Sequence, residues 1–313
     1  MLYHFSIPFY EQHAQGAVVV QHHTGQIQHF AGPSPMAGAR RIDGGIGRLV
    51  EAIASQIPAE DMRLGHTAQK LSRTDSGVVV EIQSATGEHH QITAKQVALA
   101  LPPRLAGDLS WEPSLPSAPA SKLQRTPTWM AGHSKFFAVY DRPFWREAGL
   151  CGSAMSRRGP LAEIHDASPH SGRSYSLFGF VGIDAATRSQ IGRDQLSQLA
   201  LEQLVQLFGA EAGNPLQIYL QDWSQEPFTA SQADQQPQTR HPDYGLKIDW
   251  GEDWHGRVSL ISSETSFANG GLIEGALEAG IQFAQQVADG NTAAEKSGEP
   301  HKASMDWDWL KPK

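Results

Sequence analysis

The sequence predicts an α/β fold, and three observations carry that reading. Short apolar or alternating runs of strand character recur along the chain, as in "GVVVEIQS", "KQVALALPP", "SYSLFGFVG" and "GRVSLISSE". Between them lie segments with apolar residues at helical spacing, in "DGGIGRLVEAIASQIP", "RDQLSQLALEQLVQLFG" and "GGLIEGALEAGIQFAQQV". With 313 residues the chain is long enough for two domains of ordinary size, each with its own buried core.

In chain order, "GAVVVQHHTGQIQHFAG" reads as a β-hairpin turning at Thr24 and Gly25. A Gly/Pro-rich break from Gly32 to Gly38 follows, and then a helix entered through glycines, with Ile46, Leu49, Val50, Ile53 and Ile57 on one stripe and Pro58 marking its end. "MRLGHTAQKL" and the pair "GVVVEIQS" and "HHQITA", joined through Thr86 and Gly87, read as strands; "KQVALALPP" is a short strand stopped by two prolines. The Pro, Ser and Trp content from Asp108 to Ser121 suggests a crossing between domains. Beyond it, "SKFFAVYDRPFW" and "SYSLFGFVG" are strand-like. Leu196, Leu199, Leu204 and Leu207 mark an amphipathic helix, and "GRVSLISSE" returns to a buried strand. The polar segment after Ala288 reads as a flexible tail with an aromatic tip at "MDWDWLKPK".

Composition narrows the partners. A net charge of -8 with no Lys/Arg run argues against a nucleic-acid or anionic-membrane partner, either of which calls for a basic face. Cys151 is the single cysteine, so no intrachain disulfide forms and a thiolate metal site is not expected. No segment has the length and apolarity of a membrane span or signal peptide, which predicts a soluble, cytoplasmic protein. The adjacent pairs His22/His23 and His89/His90 point apart on any regular element and are read as solvent-exposed. "GHSKF" at 132–136 lacks the second glycine of a nucleophile elbow. Arg157, Arg158, Glu163, His165 and Asp166 form a polar cluster, read as surface ion pairs in preference to a substrate cavity.

The stretch "ISSETSFANGGLIEGALEAGIQFAQQV", 261–287, runs from a strand through small residues into a helix. Ile273, Ala276, Leu277, Gly280, Phe283, Ala284 and Val287 share one face. Gly270 and Gly271 leave the first turn unshielded, where free N–H groups and the positive dipole end concentrate, so an electron-rich ligand has close access. The alternative is structural, with Asn269 as N-cap and Gly275 and Gly280 serving helix packing.

The order of pieces resembles the flavin-containing amine oxidase family, which includes monoamine, polyamine and L-amino-acid oxidases. "SSET" followed by "GGLIEGALEAG" is similar to that family's "GTET" and "GYxEGAxxSG"; "GGIGRLVEAIA", "RLGHTAQKL", "VALALPP", "SKFFAVYDRPFW" and "DWSQEP" resemble further family segments in family order, from about Phe9 to Ala288. The resemblance implies a discontinuous FAD-binding domain of the glutathione-reductase type plus an α+β substrate domain. It divides the chain into 37–107 with 255–290 for FAD, 1–36 with 108–254 for substrate, and a tail at 291–313. It places Ser262, Ser263 and Glu264 beside the ribityl and pyrophosphate groups, Gly271, Leu272, Ile273 and Ala276 at the isoalloxazine, and Ala68 at the adenine. Trp223 packs by the flavin in this reading, or is an ordinary core indole. Lys135 holds a water near flavin N5, or is a strand lysine reaching solvent.

The implied activity is hydride transfer from an amine α-carbon to FAD, with imine hydrolysis and reoxidation by O2. Two departures stand out. The family's opening "GxGxxG" unit has no counterpart here, so the expected alternatives are a truncated non-catalytic remnant or a half that self-associates or is completed by another chain. A desaturase on the same scaffold is a further option. The position of covalent flavin attachment in monoamine oxidases corresponds to Gln232, and that of their second cage tyrosine to Leu272, so the resemblance implies noncovalent FAD and no aromatic cage.

Overall fold

The computed structural model describes residues 1–294 apart from 237 and 239. From the N-terminus it contains β1 (Phe9–Glu11), β2 (Ala17–Gln21), β3 (Ile27–Phe30), β4 (Arg40–Ile42) and α1 (Ile46–Ala54). There follow β5 (His66–Arg73), β6 (Val78–Ser84), β7 (His89–Ala94), β8 (Val97–Leu99), α2 (Pro103–Asp108), β9 (Ser110–Glu112) and α3 (Ser117–Arg125). Next come β10 (Ser134–Tyr140), α4 (Phe144–Glu147), β11 (Leu150–Ser156), β12 (Leu161–Asp166), β13 (Tyr175–Val181), α5 (Ala185–Ile191), α6 (Arg193–Phe208) and β14 (Gln217–Asp222). The last elements are α7 (Gly251–Trp254), β15 (Val258–Leu260) and α8 (Ile273–Ala294).

Two compact units result. Among the described residues, the first comprises Met1–Asp61 and His133–Trp223, and the second Met62–Gly132 and those from Ser224 onward. The functional division expected from the resemblance runs elsewhere, with 37–61 in the FAD domain and 108–132 and 224–254 in the substrate domain. The segment 108–121 is also more than a crossing, because it holds β9, paired in parallel with β5 through Lys70–Ser72, and the first residues of α3.

The first unit is built on a seven-stranded sheet in the order β14-β10-β13-β12-β11-β2-β3, antiparallel except for the parallel β11–β2 pair. β10 alternates as its sequence predicts: Phe136, Ala138 and Tyr140 point into a core with Trp145, Leu161, Ile164, Leu177 and Leu204. Lys135 and Phe137 therefore share the opposite face. The 17–30 hairpin forms as expected. Helix α1 departs from expectation: only Leu49 of its stripe is buried, and Ile46, Val50 and Ile57 are exposed. Its periodicity was right, but too little of this unit packs on it to cover the face.

The second unit holds a sheet in the order β7-β6-β5-β9 and a parallel pair, β8 with β15. Its core joins Leu71, Val78, Leu99, Leu123 and Val258 to Trp250 and Trp254, with Trp111 edge-on to Trp254 at 4.9 Å between ring centroids. Helix α8 continues to Ala294, past the boundary at 291 drawn from sequence. The rest of the expected tail lies outside the described residues. No helix among the described residues is long and apolar enough to cross a membrane.

Candidate functional site

The second unit gathers most of the expected cofactor residues in one stretch. Strand β15 ends at Leu260, and a 3-10 turn over Ser263–Thr265 follows, in which Thr265 N–H and Oγ1 both donate to the Ser262 carbonyl at 3.1 and 2.7 Å. Glu264 is buried, and its carbonyl accepts from the N–H groups of Gly245 and Leu246 at 3.0 and 2.9 Å. The turn is thereby tied to the segment 244–246. Ser262 is also buried, yet its hydroxyl has no hydrogen-bond partner among the described residues. An orphaned buried hydroxyl is costly, and its presence at a strand end marks a position suited to a polar ligand.

Gly275 makes the turn and the helix close. A Cβ there would collide with the Asn269 carbonyl and stand 3.1 Å from the Ser263 carbonyl oxygen. Asn269 is not the N-cap that its position suggested. Helix α8 starts four residues later, and the Asn269 side-chain amide donates to Glu278, whose other carboxylate oxygen accepts from Ser266 Oγ at 2.6 Å. No residue of the helix face expected to be covered is buried: Ile273, Ala276 and Ala284 are exposed and Leu277, Gly280, Phe283 and Val287 half-buried, whereas the buried Gly275 and Ala279 lie on a different side; Leu272, just before the helix, is exposed too. Apolar side chains left bare around a helix N-terminus fit a flat ligand laid against the first turn.

The glycine pair is not open on all sides. The Tyr244 ring packs on it so closely that a Cβ at Gly270 would overlap the ring, and one at Gly271 would lie 2.5 Å from Tyr244 Oη. Gly271 has φ +73, a conformation glycine adopts without cost, and no described group accepts from the N–H of either glycine. Burial, followed by the nearby Glu264 charge, raises the Tyr244 phenol above its ordinary value. No sequence motif marked Tyr244, because its role depends on a contact 26 residues along the chain.

Ala68 sits elsewhere in this unit, on β5, where a bulge separates it from Lys70 in the pairing with β6. Because β9 pairs only with Lys70–Ser72, the stretch His66–Ala68 is bordered by β6 alone. Gln232 opens a 3-10 turn whose capping box is formed by Ser231 and Asp234.

Lys135 and Trp223 belong to the first unit. Lys135 stands opposite Phe180 in the β10–β13 register, with its Nζ 5.3 Å from the Phe180 ring centroid. Phe137 stacks on Phe178 at 5.2 Å, and Phe178 meets Phe180 edge-on at 4.9 Å, so the lysine rises from an aromatic floor. Burial lowers the Lys135 pKa, and it also lowers that of His133, with help from the charges of Arg188 and Lys135. The i, i+2 spacing of Phe178 and Phe180 in "SYSLFGFVG" was the available signal for this floor. Trp223 is partly exposed, which removes the core-indole alternative. Its backbone N–H donates to the His133 carbonyl at 3.0 Å. The preceding residue, Asp222, takes two hydrogen bonds from the buried Arg188, at 2.7 Å from Nε and 2.6 Å from Nη2.

The polar cluster 157–166 is corrected in part. His165 and Asp166 are both buried. Asp166 accepts from Arg146 at 2.7 and 2.9 Å and from Trp145 Nε1 at 2.8 Å. Burial alone would raise its pKa, but the Arg146 and Ser168 hydrogen bonds outweigh that and hold it below the ordinary value. His165 links Glu163 at 2.6 Å to Ser153 at 3.3 Å, and Ser153 is 3.1 Å from Ser34. That Ser-His-Glu order has the chemistry of a nucleophile relay, but Ser153 is fully enclosed and leaves no room for a substrate.

Comparisons with known proteins bear on the family and the fold. The family model for flavin containing amine oxidoreductases matches residues 4–288. A probable flavin-containing monoamine oxidase A of Dictyostelium discoideum is 24% identical over 253 residues, covering 80% of this chain and 53% of its own length. A putative flavin-containing monoamine oxidase of Mycobacterium tuberculosis is 30% identical over 253 residues, with 79% and 52% covered. The chain spans about half the length of the curated relatives it matches. Among solved structures, putrescine oxidase bound to putrescine superposes with a TM-score of 0.72 at 17% identity, over 92% of this chain and 84% of that one, which shows a shared fold.

Proposed function

The chain belongs to the flavin-containing amine oxidoreductase family, and from that membership we propose that it serves FAD-dependent oxidation of a small amine. FAD is the cofactor the family implies; when bound, it supplies a two-electron acceptor for hydride from the amine α-carbon and passes the electrons to O2, giving hydrogen peroxide as the imine hydrolyses.

The observation that carries the reading is the buried Ser262 hydroxyl, without a partner among the described residues, at the start of the turn on which Gly275 of α8 packs. In this proposal Ser262 and Ser263 offer hydroxyls to the cofactor's polar chain, and buried Glu264 holds the turn through its carbonyl. The N–H of Gly271 and the positive end of α8 favour negative charge on the bound ring, while Leu272, Ile273 and Ala276 give it an apolar bed. Ala68 contacts the adenine through backbone, and Trp223 flanks the ring. Lys135, with its cationic form disfavoured by burial, orders a water and holds a proton at Nζ. Gln232 in place of an attachment cysteine supports noncovalent binding. The domains follow the functional division given by the resemblance, and the location proposed is the cytoplasm.

A second reading has one observation in its favour: β8 and β15 form a sheet of two three-residue strands with unpaired edges among the described residues. A further polypeptide, or a second copy, would complete it. Incubation with FAD followed by desalting, then an amine panel with peroxide detection, tests both. Retained flavin absorbance with peroxide release supports the amine-oxidase reading. Retained flavin with no turnover of any amine overturns it in favour of a non-catalytic or desaturase role, and no retained flavin, together with association in solution, favours the partner-dependent half.

A further inference from the structure

The second unit has a cavity of about 430 Å³ outside the stretch just described, walled by Lys122, Arg125, Arg240, His241, Asp243 and Tyr244 among others. That volume lies in the ~300–1,000 Å³ range of small-molecule sites. Its charge runs against that of the chain. Three permanent cations face one carboxylate, whereas the whole chain carries -8. All three cations are exposed and so reachable from solvent. Lys122, Arg125 and Arg240 form no ion pair among the described residues.

The wall is held in place by contacts that do not involve those cations. The His241 ring stacks on Trp129 at 3.9 Å. The segment after Tyr244 is fixed by the Gly245 N–H donating to the Glu264 and Ser266 carbonyls, both at 3.0 Å. Lys122 and Arg125 are three apart in the last turn of α3 and so project from neighbouring positions, where like charges repel unless an anion lies between them. Two guanidinium forks and an ammonium around one space suit the several oxygens of a phosphate group. A single inorganic phosphate would leave much of the volume empty, and the imidazole and phenol surfaces suit an organic body.

We propose that this cavity binds a phosphate-bearing organic anion, its phosphate held by Lys122, Arg125 and Arg240. The anion is a free organic phosphate of nucleotide size, with the His241 and Tyr244 rings as a wall for its organic body. The inference does not rest on amine oxidation, because its test needs neither turnover nor bound flavin.

The test is calorimetric titration of the full chain with inorganic pyrophosphate and with ADP at fixed ionic strength, repeated with FAD added first. One-to-one ADP binding that Arg125→Gln and Arg240→Gln each weaken by roughly tenfold or more, at unchanged circular dichroism, is the expected result. ADP binding that persists beside FAD identifies a separate site and is the expected outcome; ADP binding that FAD abolishes overturns the proposal. Absence of ADP binding at low salt, or binding indifferent to both substitutions and to Lys122→Gln, overturns the proposal.

Discussion

Tyr244 lies against the backbone of Gly271 so closely that a Cβ on the glycine would stand 2.5 Å from the phenol oxygen. The glycine entry to α8, which the sequence presents as bare backbone, is therefore a fitted surface on one side. Removing the ring in Tyr244→Ala opens the side of Gly270 and Gly271 on which a Cβ would stand. FAD titration followed by quenching of flavin fluorescence is expected to show tighter binding than in the parent. Weaker binding would mean that the ring is itself part of the cofactor's bed.

Gly275→Ala tests the packing of α8 on the Ser263–Thr265 turn. The new methyl meets the Asn269 carbonyl, and backbone cannot yield as a flexible side chain can. A loss of about 1–3 kcal/mol is expected from urea unfolding, as for overpacking in general. Gly280→Ala is the control, because open space surrounds that position, and it should leave stability unchanged or raise it. Equal stability of the two variants would remove the argument for a close helix–turn contact.

Lys135 makes a prediction about alkaline pH. Burial depresses its folded pKa below the ordinary 10.5, so between the two values the unfolded chain holds the proton and the folded chain does not. Stability contributed by this group therefore rises with pH through that window. Lys135→Met should abolish the rise and keep neutral-pH stability at or above that of the parent. If the lysine also orders a reacting water, the same variant lowers kcat with little change in flavin affinity. A variant that is destabilised at pH 7, with kcat intact, would show a structural lysine.

Asp166 predicts behaviour at the acid end. Its folded pKa lies below the ordinary 3.8, so its contribution is complete above that value and is lost as pH falls through the folded one. Asp166→Asn leaves Arg146 without its partner and Trp145 Nε1 with a weaker one. A loss of about 3–5 kcal/mol at pH 7 is expected, typical of breaking a buried pair by removing one side. The variant's stability should also depend less on pH below 4 in acid titrations followed by circular dichroism.

Much of the secondary structure was legible because its signals are local. The 17–30 and 78–94 hairpins, the alternating strand at 134–140 and the leucine pattern of α6 each appear where their periodicity puts them. The stripe on α1 was equally clear as a helix and misleading as a buried face, since periodicity says which residues share a side and nothing about whether that side is covered. The 108–121 segment hid β9 because three residues of strand carry almost no pattern. Asp166 read as a surface charge because its partners Arg146 and Trp145 lie some twenty residues earlier, and His165 because its partner Ser153 comes from the neighbouring strand.

By itself the sequence determined the element types, the family and the stretch 262–276 as a cofactor candidate, because composition, short-range spacing and motif order are properties of the linear chain. Only the tertiary structure decided that Ser262 is left without a partner among the described residues, that Tyr244 closes on the glycine pair and that Asn269 ties Glu278 instead of capping α8. It also brought Lys122 and Arg125 into one wall with Arg240. Those outcomes rest on desolvation and steric fit between residues far apart in the chain, and such contacts have no length scale that a sequence window can sample.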